Sequence, residues 1–148
     1  MPLAVAASRV NDGMEVALNG LGNDANYWRA LGEGRLSLPK CAGCKRWVWP
    51  APFRCSECGS WELAWQDVEM KGEVFAWTRV RHPFGGAEAL GLPYVVASVA
   101  LPQANGIRLF GLLEPGDDAA IGLKVTGKVR TTHAFDRDVL AISWSPVA

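Results

Sequence analysis

The sequence lacks any imbalance of charge, and this absence disfavours partners that attract proteins by long-range electrostatics. The 148 residues include 15 basic and 15 acidic side chains, so the formal net charge is zero. Nucleic acids and anionic membranes are usually bound through an excess of Lys and Arg. We therefore expect neither a nucleic acid nor a membrane as the partner, although a local basic patch is compatible with this composition.

The sequence also lacks a long apolar run and a recognisable secretory leader. No stretch approaches the roughly 20 apolar residues that a membrane-spanning helix needs. The first seven residues are apolar but have no basic start, and Arg9, Asp12 and Glu15 follow closely. We expect a cytoplasmic protein. Because 49% of the residues are hydrophobic, the composition allows a packed core.

Groups suited to catalysis are scarce. The only histidines are His82 and His133, in or beside predicted loops, where a lone histidine is usually solvated. A nucleophilic cysteine needs a nearby base, and no glycine-rich phosphate loop is present. We therefore predict no catalytic residue in this chain.

What the sequence does contain is a compact set of four cysteines in two pairs. The pairs are Cys41 with Cys44, and Cys55 with Cys58. Two turns of this spacing can place four thiolates around one ion at Zn–S distances of about 2.3 Å. Gly43 lies inside the first turn and Gly59 directly follows the second, and both help tight turns to form.

Alternatives to zinc are iron in the same cage, disulfides and a redox pair. The missing leader argues against disulfides, and two pairs without a βαβ pattern argue against a thioredoxin-like site. Lys45 and Arg46 follow the first pair, where positive charge would offset four thiolates around a dication. We predict one structural zinc ion, bound by all four cysteines and without an open position for water.

Residues 24–35 are predicted to form a short helix. Asp24 is a candidate N-cap, and Tyr27 and Trp28 lie on the face that continues to Leu31. A helix this short needs tertiary contacts to persist. We therefore expect Tyr27 and Trp28 to be buried, either within this chain or against a partner.

Residues 36–66 are predicted to form a zinc ribbon. Its three short strands are expected at Arg35–Pro39, Trp47–Trp49 and Trp61–Trp65. Residues 1–23 precede the helix as an extension, in which a hairpin and a partner contact are possible.

Residues 67–148 follow an all-β pattern. The predicted strands are Gly72–Val80, Tyr94–Leu101, Ile107–Leu113, Lys124–Thr132 and Val139–Trp144. Asn105-Gly106 is a strong hairpin signal, and Ala119–Leu123 is expected to form one helical turn. Gly72–Val80 is expected to alternate, with Val74, Ala76 and Thr78 on one face and Phe75 and Trp77 on the other. Both faces carry apolar residues, which suggests a covered outer side. The fold class is therefore mainly β, with a short N-terminal helix, a four-cysteine zinc ribbon and a C-terminal five-stranded OB-fold barrel.

This order of helix, ribbon and barrel resembles the DUF35 proteins, which combine a rubredoxin-like zinc ribbon with an acyl-CoA-associated OB-fold. The resemblance extends from about Asn26 to Trp144. The stretches that carry it are Tyr27–Leu31, Leu38–Cys44, Cys55–Gly59, Gly72–Val74, Pro93–Ala97 and Ile121–Val125. The helix in such proteins usually starts close to the N-terminus, whereas residues 1–23 precede it here.

The resemblance implies a role as a non-catalytic, zinc-containing subunit. Similar proteins accompany thiolases, lipid-transfer-protein-like aldolases and acetyltransferases, and others accompany hydratases of hot-dog fold. They bridge subunits and shape the passage for coenzyme A, while the partner supplies the nucleophile. The implied assembly is a hetero-oligomer such as α2β2 with a thiolase-like subunit. In it, this chain stabilises the thiolase-like subunit, and the two bind acyl-CoA jointly.

The sequence does not identify which residues of this chain would contact coenzyme A. Arg79, Arg81 and His82 cluster at a strand end, and a second basic group shares one strand face: Lys124, Lys128 and Arg130. We interpret both groups as solvated barrel surface. A competing hypothesis is a single-stranded nucleic-acid binding module, because zinc ribbons and OB barrels both serve that role with aromatic platforms.

Overall fold

The computed structural model describes residues 23–134 and 137–148. The chain divides into two compact units, the first ending at Val68 and the second beginning at Glu69. The extension hairpin considered for residues 1–23 lies almost entirely outside the described residues. No helix among the described residues is long and apolar enough to cross a membrane.

Within residues 23–68, the part of the first unit that the structure describes, there are one helix and one two-stranded sheet. Helix α1 spans Ala25–Gly32, and strands β1, Leu36–Cys41, and β2, Leu63–Val68, pair antiparallel. The helix ends in a Schellman arrangement at Gly34, whose φ is +77°. There the Gly34 N–H donates to Leu31 O and the Arg35 N–H to Ala30 O.

The aromatic residues of α1 are held within this unit. Tyr27 is buried, and its ring centroid lies 4.6 Å from that of Trp49. The expectation that Tyr27 is buried is therefore confirmed, whereas Trp28 is only half-buried. Asp24 is the N-cap residue, as predicted, but its carboxylate accepts a hydrogen bond from the indole Nε1 of Trp28 at 3.3 Å instead of bonding a helix N–H.

The second unit is a closed five-stranded barrel. Its strands are β3, Lys71–Val80; β4, Tyr94–Leu101; β5, Ile107–Leu113; β6, Lys124–Ala134; and β7, Arg137–Pro146. They run in the spatial order β3-β4-β5-β7-β6, and β6 returns to β3. All pairings are antiparallel except the short parallel pairing of β5 with β7 at Leu112–Ser143 and Leu113–Trp144. The predicted mainly β fold with a five-stranded barrel is confirmed.

Three predicted details are wrong. Trp47–Trp49 is not a strand, because only an isolated bridge joins Trp47 to Lys40. Ala119–Leu123 forms turns instead of a helical turn. The alternation expected of β3 is interrupted by a bulge between Val74 and Ala76, which buries Val74 and leaves Ala76 exposed.

Candidate metal centre

The first cysteine turn begins at the end of β1. The Cys41 N–H donates to Arg46 O at 2.8 Å, and the Lys45 N–H donates back to Cys41 O at 3.0 Å. Lys45 has a φ of +64°, a left-handed conformation that is uncommon for a residue with a side chain. These bonds fold the backbone around the Cys41 and Cys44 sulfurs.

The second turn repeats the same pattern. The Cys55 N–H donates to Ser60 O at 2.9 Å, and the Gly59 N–H donates to Cys55 O at 3.0 Å. Gly59, with a φ of +77°, occupies the position that corresponds to Lys45 in the first turn. The two turns are therefore equivalent in backbone geometry, although their sequences differ.

The four sulfurs converge on one point. All four Sγ atoms lie within 4.8 Å of one another. The Cys41–Cys58 pair is 3.5 Å apart and the Cys44–Cys55 pair is 3.7 Å apart. A tetrahedral ion at Zn–S distances of about 2.3 Å requires sulfurs about 3.8 Å apart. The separations fit this ion, and they are far too long for disulfide bonds.

The turns hold the sulfurs in unequal surroundings. Cys41 and Cys55 are buried, Cys44 is half-buried and Cys58 is exposed. The Cys44 backbone N–H is the main cause that lowers the pKa of Cys41 to about 6. The Arg46 backbone N–H acts to lower the pKa of Cys44, but burial and the neighbouring sulfurs outweigh it and raise that pKa to about 11. Negative charges on sulfurs this close repel one another, and a cation between them would favour the thiolate form.

Three features of the centre cannot be read from the sequence. Gly43 has no unusual φ, but a Cβ there would lie 3.3 Å from the Cys58 sulfur, so the residue permits a close approach of the two turns. Lys45 was expected only to supply charge, yet its left-handed backbone closes the first turn. Arg46 forms an ion pair with Glu57 at 3.6 Å, so it links the two turns as well.

Neither histidine belongs to the metal centre. The His82 ring packs edge-on against Phe84, and His133 pairs with Asp138 at 3.1 Å. Some of the basic residues that could contact the phosphates of coenzyme A form ion pairs within the chain. Within the part of the chain that the structure describes, Lys124 pairs with Glu73 and Arg130 with Glu114.

One face of the barrel exposes two phenylalanines beside an arginine. Phe75 on β3 is 53% exposed and Phe110 on β5 is 77% exposed. The Arg108 guanidinium lies 4.3 Å from the Phe75 ring centroid, across the small residue Ala100 with which Arg108 pairs. We call Phe75, Arg108 and Phe110 the barrel aromatic face.

A second exposed aromatic cluster lies beside the second cysteine turn. Phe53 and Trp61 are both largely exposed. The Arg54 guanidinium lies 5.3 Å from the Trp61 ring, and its Nε donates to Gly59 O at 2.6 Å. We call Phe53, Arg54 and Trp61 the ribbon aromatic cluster.

Family models match both units of the chain. Residues 28–63 match the "ChsH2, rubredoxin-like zinc ribbon domain", and residues 65–130 match the "ChsH2, C-terminal OB-fold domain". A curated relative is the "Probable enoyl-CoA hydratase alpha subunit" of Thermomonospora curvata, 35% identical over 107 residues. That alignment covers 70% of this chain but 32% of the relative, so the chain spans about a third of the relative's length.

Solved structures show the same architecture. The structure titled "Ltp2-ChsH2(DUF35) aldolase" aligns with a TM-score of 0.71 and 28% identity, covering 85% of this chain and 95% of that chain. A DUF35 protein of unknown function from Sulfolobus solfataricus aligns with a TM-score of 0.58 and 18% identity, covering 94% of this chain and 97% of that chain. The second likeness is evidence for the fold alone.

The ribbon, the four converging sulfurs and the barrel thus agree with both family models, and the four-cysteine ribbon supports a structural zinc ion. The chain belongs to the DUF35 family, with a zinc ribbon and an OB-fold domain of the ChsH2 type.

Proposed function

We propose that this chain is a non-catalytic, zinc-containing subunit of a thiolase-type acyl-CoA enzyme. The observation that carries the proposal is the likeness over 85% of the chain to the structure titled Ltp2-ChsH2(DUF35) aldolase. In this role the chain stabilises its catalytic partner and helps to shape the acyl-CoA site. An assembly such as α2β2 in the cytoplasm is part of the proposal.

The chemistry of the metal centre supports a subunit without its own reaction. We propose that Cys41, Cys44, Cys55 and Cys58 each give one thiolate to one zinc ion. Four sulfur ligands complete the tetrahedron, so no position remains where water or a substrate carbonyl could bind the metal. The zinc would hold the two turns together, and the reacting groups would belong to the partner.

The barrel aromatic face is the surface we propose for docking the catalytic subunit. Exposed aromatic rings beside an arginine have the composition of interface hot spots. No carboxylate among the described residues pairs with Arg108, which lies over Phe75 instead. A partner that offers an acidic side chain between two apolar contacts would complement this face. A second copy of the chain would complement it less well, because the two-fold axis of a symmetric dimer would bring like charges together.

A hydratase is the second candidate partner. It is favoured by the Thermomonospora curvata relative, whose name is that of an enoyl-CoA hydratase alpha subunit and whose length is about three times that of the matched segment. In that arrangement the ribbon and barrel would accompany a hydratase of hot-dog fold instead of a thiolase-like enzyme. Co-expression with each candidate separates the two.

Single-stranded nucleic acid is a weaker candidate on grounds of charge. In residues 23–68 basic side chains exceed acidic ones by one, while four thiolates around a dication carry two negative charges. The zinc-loaded ribbon is therefore net negative. Nucleic-acid binding by stacking normally accompanies a positive groove. Tight, salt-sensitive binding to single-stranded DNA would overturn this argument.

The test is co-purification of the full chain with a thiolase-like subunit, or a hydratase subunit, encoded beside it. We expect a stable complex. Within it the partner should turn over acyl-CoA, whereas the partner alone should not. Phe75→Ala combined with Phe110→Ala should weaken the complex by about tenfold or more, as expected for two hot-spot aromatics. Phe84→Ala, which removes an exposed ring from a loop, is the matched control and should leave binding unchanged.

The outcomes distinguish the parts of the proposal. Failure of the unmodified chain to bind either partner, with full partner activity in its absence, would contradict the subunit role. Binding that survives the Phe75 and Phe110 changes but is lost with Trp61→Ala would move the interface to the ribbon aromatic cluster.

A further inference from the structure

A cavity of about 260 Å³ opens at one end of the barrel, where β3 and β5 end and β4 begins. Its walls include the apolar residues Leu90, Pro93, Val95 and Leu112, and Arg79 contributes a positive charge. Pockets for drug-sized ligands usually measure about 300–1,000 Å³. This cavity therefore suits a smaller molecule with an apolar body and an anionic end.

Arg79 is held in place before any ligand arrives. Its Nη2 donates to Gly116 O at 3.0 Å, and its guanidinium carbon lies 5.9 Å from the ring centroid of Trp77. The side chain is half-buried. A fixed guanidinium loses little conformational freedom when it binds an anion, so its remaining N–H groups are ready to donate.

The carbonyl that orients Arg79 is itself fixed by packing. A Cβ on Gly116 would lie 2.5 Å from Val95 Cγ2 and 2.8 Å from Val95 Cβ, so only glycine permits this approach of the turn to β4. The close approach sets the position of Gly116 O in the cavity wall. The orientation of Arg79 therefore depends on Gly116, because a larger residue there would collide with Val95 and displace the carbonyl that Arg79 bonds.

Among the described residues no carboxylate forms a direct ion pair with Arg79, although Asp117 shares the cavity lining. Glu114 also lines the cavity, but it pairs with Arg130 and accepts a hydrogen bond from the Ser143 hydroxyl at 2.7 Å. A half-buried cation that forms no direct ion pair favours an anionic ligand.

We propose that this cavity binds a small organic carboxylate, with Arg79 on the carboxylate and the apolar walls on its hydrocarbon part. A single guanidinium, with the Asp117 carboxylate in the same lining, disfavours a dianion such as phosphate. The planar guanidinium matches the planar carboxylate. The ligand is either a free short-chain acid or the terminal carboxylate of a polypeptide. The proposal is independent of the barrel aromatic face and of the partner that binds there.

Calorimetric titration of the zinc-loaded full chain with hexanoate tests the site, with hexanol and inorganic phosphate as comparison probes. We expect saturable binding of hexanoate. Hexanol and phosphate should bind at least about tenfold more weakly, because neither can form the charged hydrogen bond from Arg79 to a carboxylate while its hydrocarbon part contacts the apolar walls. Arg79→Gln should weaken hexanoate binding by a similar factor. Arg81→Gln removes an exposed arginine outside the cavity lining and should leave binding unchanged.

Leu90→Glu is the second variant, because it adds a negative charge to the wall and keeps the bond from Arg79 to Gly116. It should also weaken hexanoate binding by at least about tenfold, which tests the site even if Arg79→Gln disturbs the fold. The proposal is overturned if hexanoate does not bind, if hexanol or phosphate binds as tightly, or if both variants bind normally.

A short peptide with an apolar last residue separates the two sources of the carboxylate. If its free-acid form binds at least about tenfold more tightly than hexanoate and its C-terminal amide does not bind, the carboxylate belongs to a polypeptide terminus. If hexanoate binds and neither peptide does, the ligand is a free acid.

Discussion

Trp144 is the largest fully buried side chain of the barrel, and two glycines determine where its ring can lie. A Cβ on Gly111 would come within 2.7 Å of the indole Nε1, and one on Gly127 within 2.8 Å of the ring. The ring thus packs directly against the backbones of β5 and β6. Barrel closure at this point depends on residues that have no side chain.

Replacing Gly127 by alanine should therefore destabilise the barrel. The new methyl group would collide with Trp144 and with Met70 Cβ, 3.0 Å away, and overpacking of this kind costs about 1–3 kcal/mol. Urea unfolding measures the loss. Gly85→Ala is the control, because nothing lies within 4 Å of a Cβ at Gly85. Equal midpoints for both variants would contradict this account of the core.

The equivalent positions Lys45 and Gly59 allow a paired test in the cysteine turns. Gly59→Ala should weaken zinc affinity, because a side chain at a φ of +77° is strained by about 1 kcal/mol and the new Cβ meets Arg54. Lys45→Gly should keep or improve the affinity, since glycine adopts a φ of +64° without strain. Competition with a chromophoric chelator measures both. Weaker binding by Lys45→Gly than by Gly59→Ala would refute the equivalence of the turns.

At the scale of the elements, local pattern predicted most of the strands but not every connection. Asn105-Gly106 predicted the β4–β5 hairpin, and Asn105 and Gly106 both have positive φ values there. The helical turn expected at Ala119–Leu123 does not form, because Gly122 and Leu123 exchange backbone hydrogen bonds with Val74 instead. Such a tertiary pairing has no local signature.

The same limit applies to the candidate sites. Cysteine spacing alone predicted the convergence of the four sulfurs, because each pair lies within one turn. The barrel aromatic face could not be predicted, since a bulge beside Phe75 breaks the alternation of β3 and only strand register brings Arg108 next to that ring. The sequence predicted that the outer side of this strand is covered. Within the described chain this prediction is wrong, because Phe75 is half exposed.

The junction of β5, β6 and β7 contains an ionic contact that should make stability depend on pH. Glu114 follows β5, and a hydrogen bond from Arg130 on β6, then one from Ser143 on β7, lower the pKa of its carboxyl. A carboxyl whose pKa is lower in the folded state stabilises the fold above its unfolded pKa. That stability is lost as the pH falls through the folded pKa.

We therefore expect unfolding free energy to fall between neutral and acidic pH, and Glu114→Gln to flatten that dependence. Glu69→Gln, which removes an exposed partner of Lys71, should leave it unchanged. Urea unfolding at a series of pH values measures both. An identical pH dependence in Glu114→Gln and the unmodified chain would contradict the role given to this carboxyl.

At the scale of the whole molecule, the two units differ in what stabilises them. The barrel buries a set of apolar side chains that includes Val74, Val99, Leu101 and Trp144. Around the cysteines the buried cluster is small, with Val48 packed beside Cys41 and Cys55. The first unit also buries Leu31, Leu36 and Leu38, but the small cluster at the two cysteine turns needs a metal to persist. The predicted boundary after residue 66 between ribbon and barrel stays a prediction.

Chelation should consequently separate the behaviour of the two units. We expect removal of zinc to expose the amides of Cys41, Lys45, Cys55 and Gly59 to rapid hydrogen exchange, while the amides of β4 and β5 stay protected. Exchange mass spectrometry with and without a zinc chelator measures both at once. Protected ribbon amides after complete zinc removal would show that the metal is not needed for this fold.

The claim on which the account depends most is that four thiolates of one chain bind one zinc ion. Native mass spectrometry of the freshly purified chain tests it directly, because it counts bound metal and detects cystines in one spectrum. The account predicts one zinc ion per chain and four cysteines without disulfides. A metal-free chain, or one whose sulfurs are paired as cystines, would contradict it.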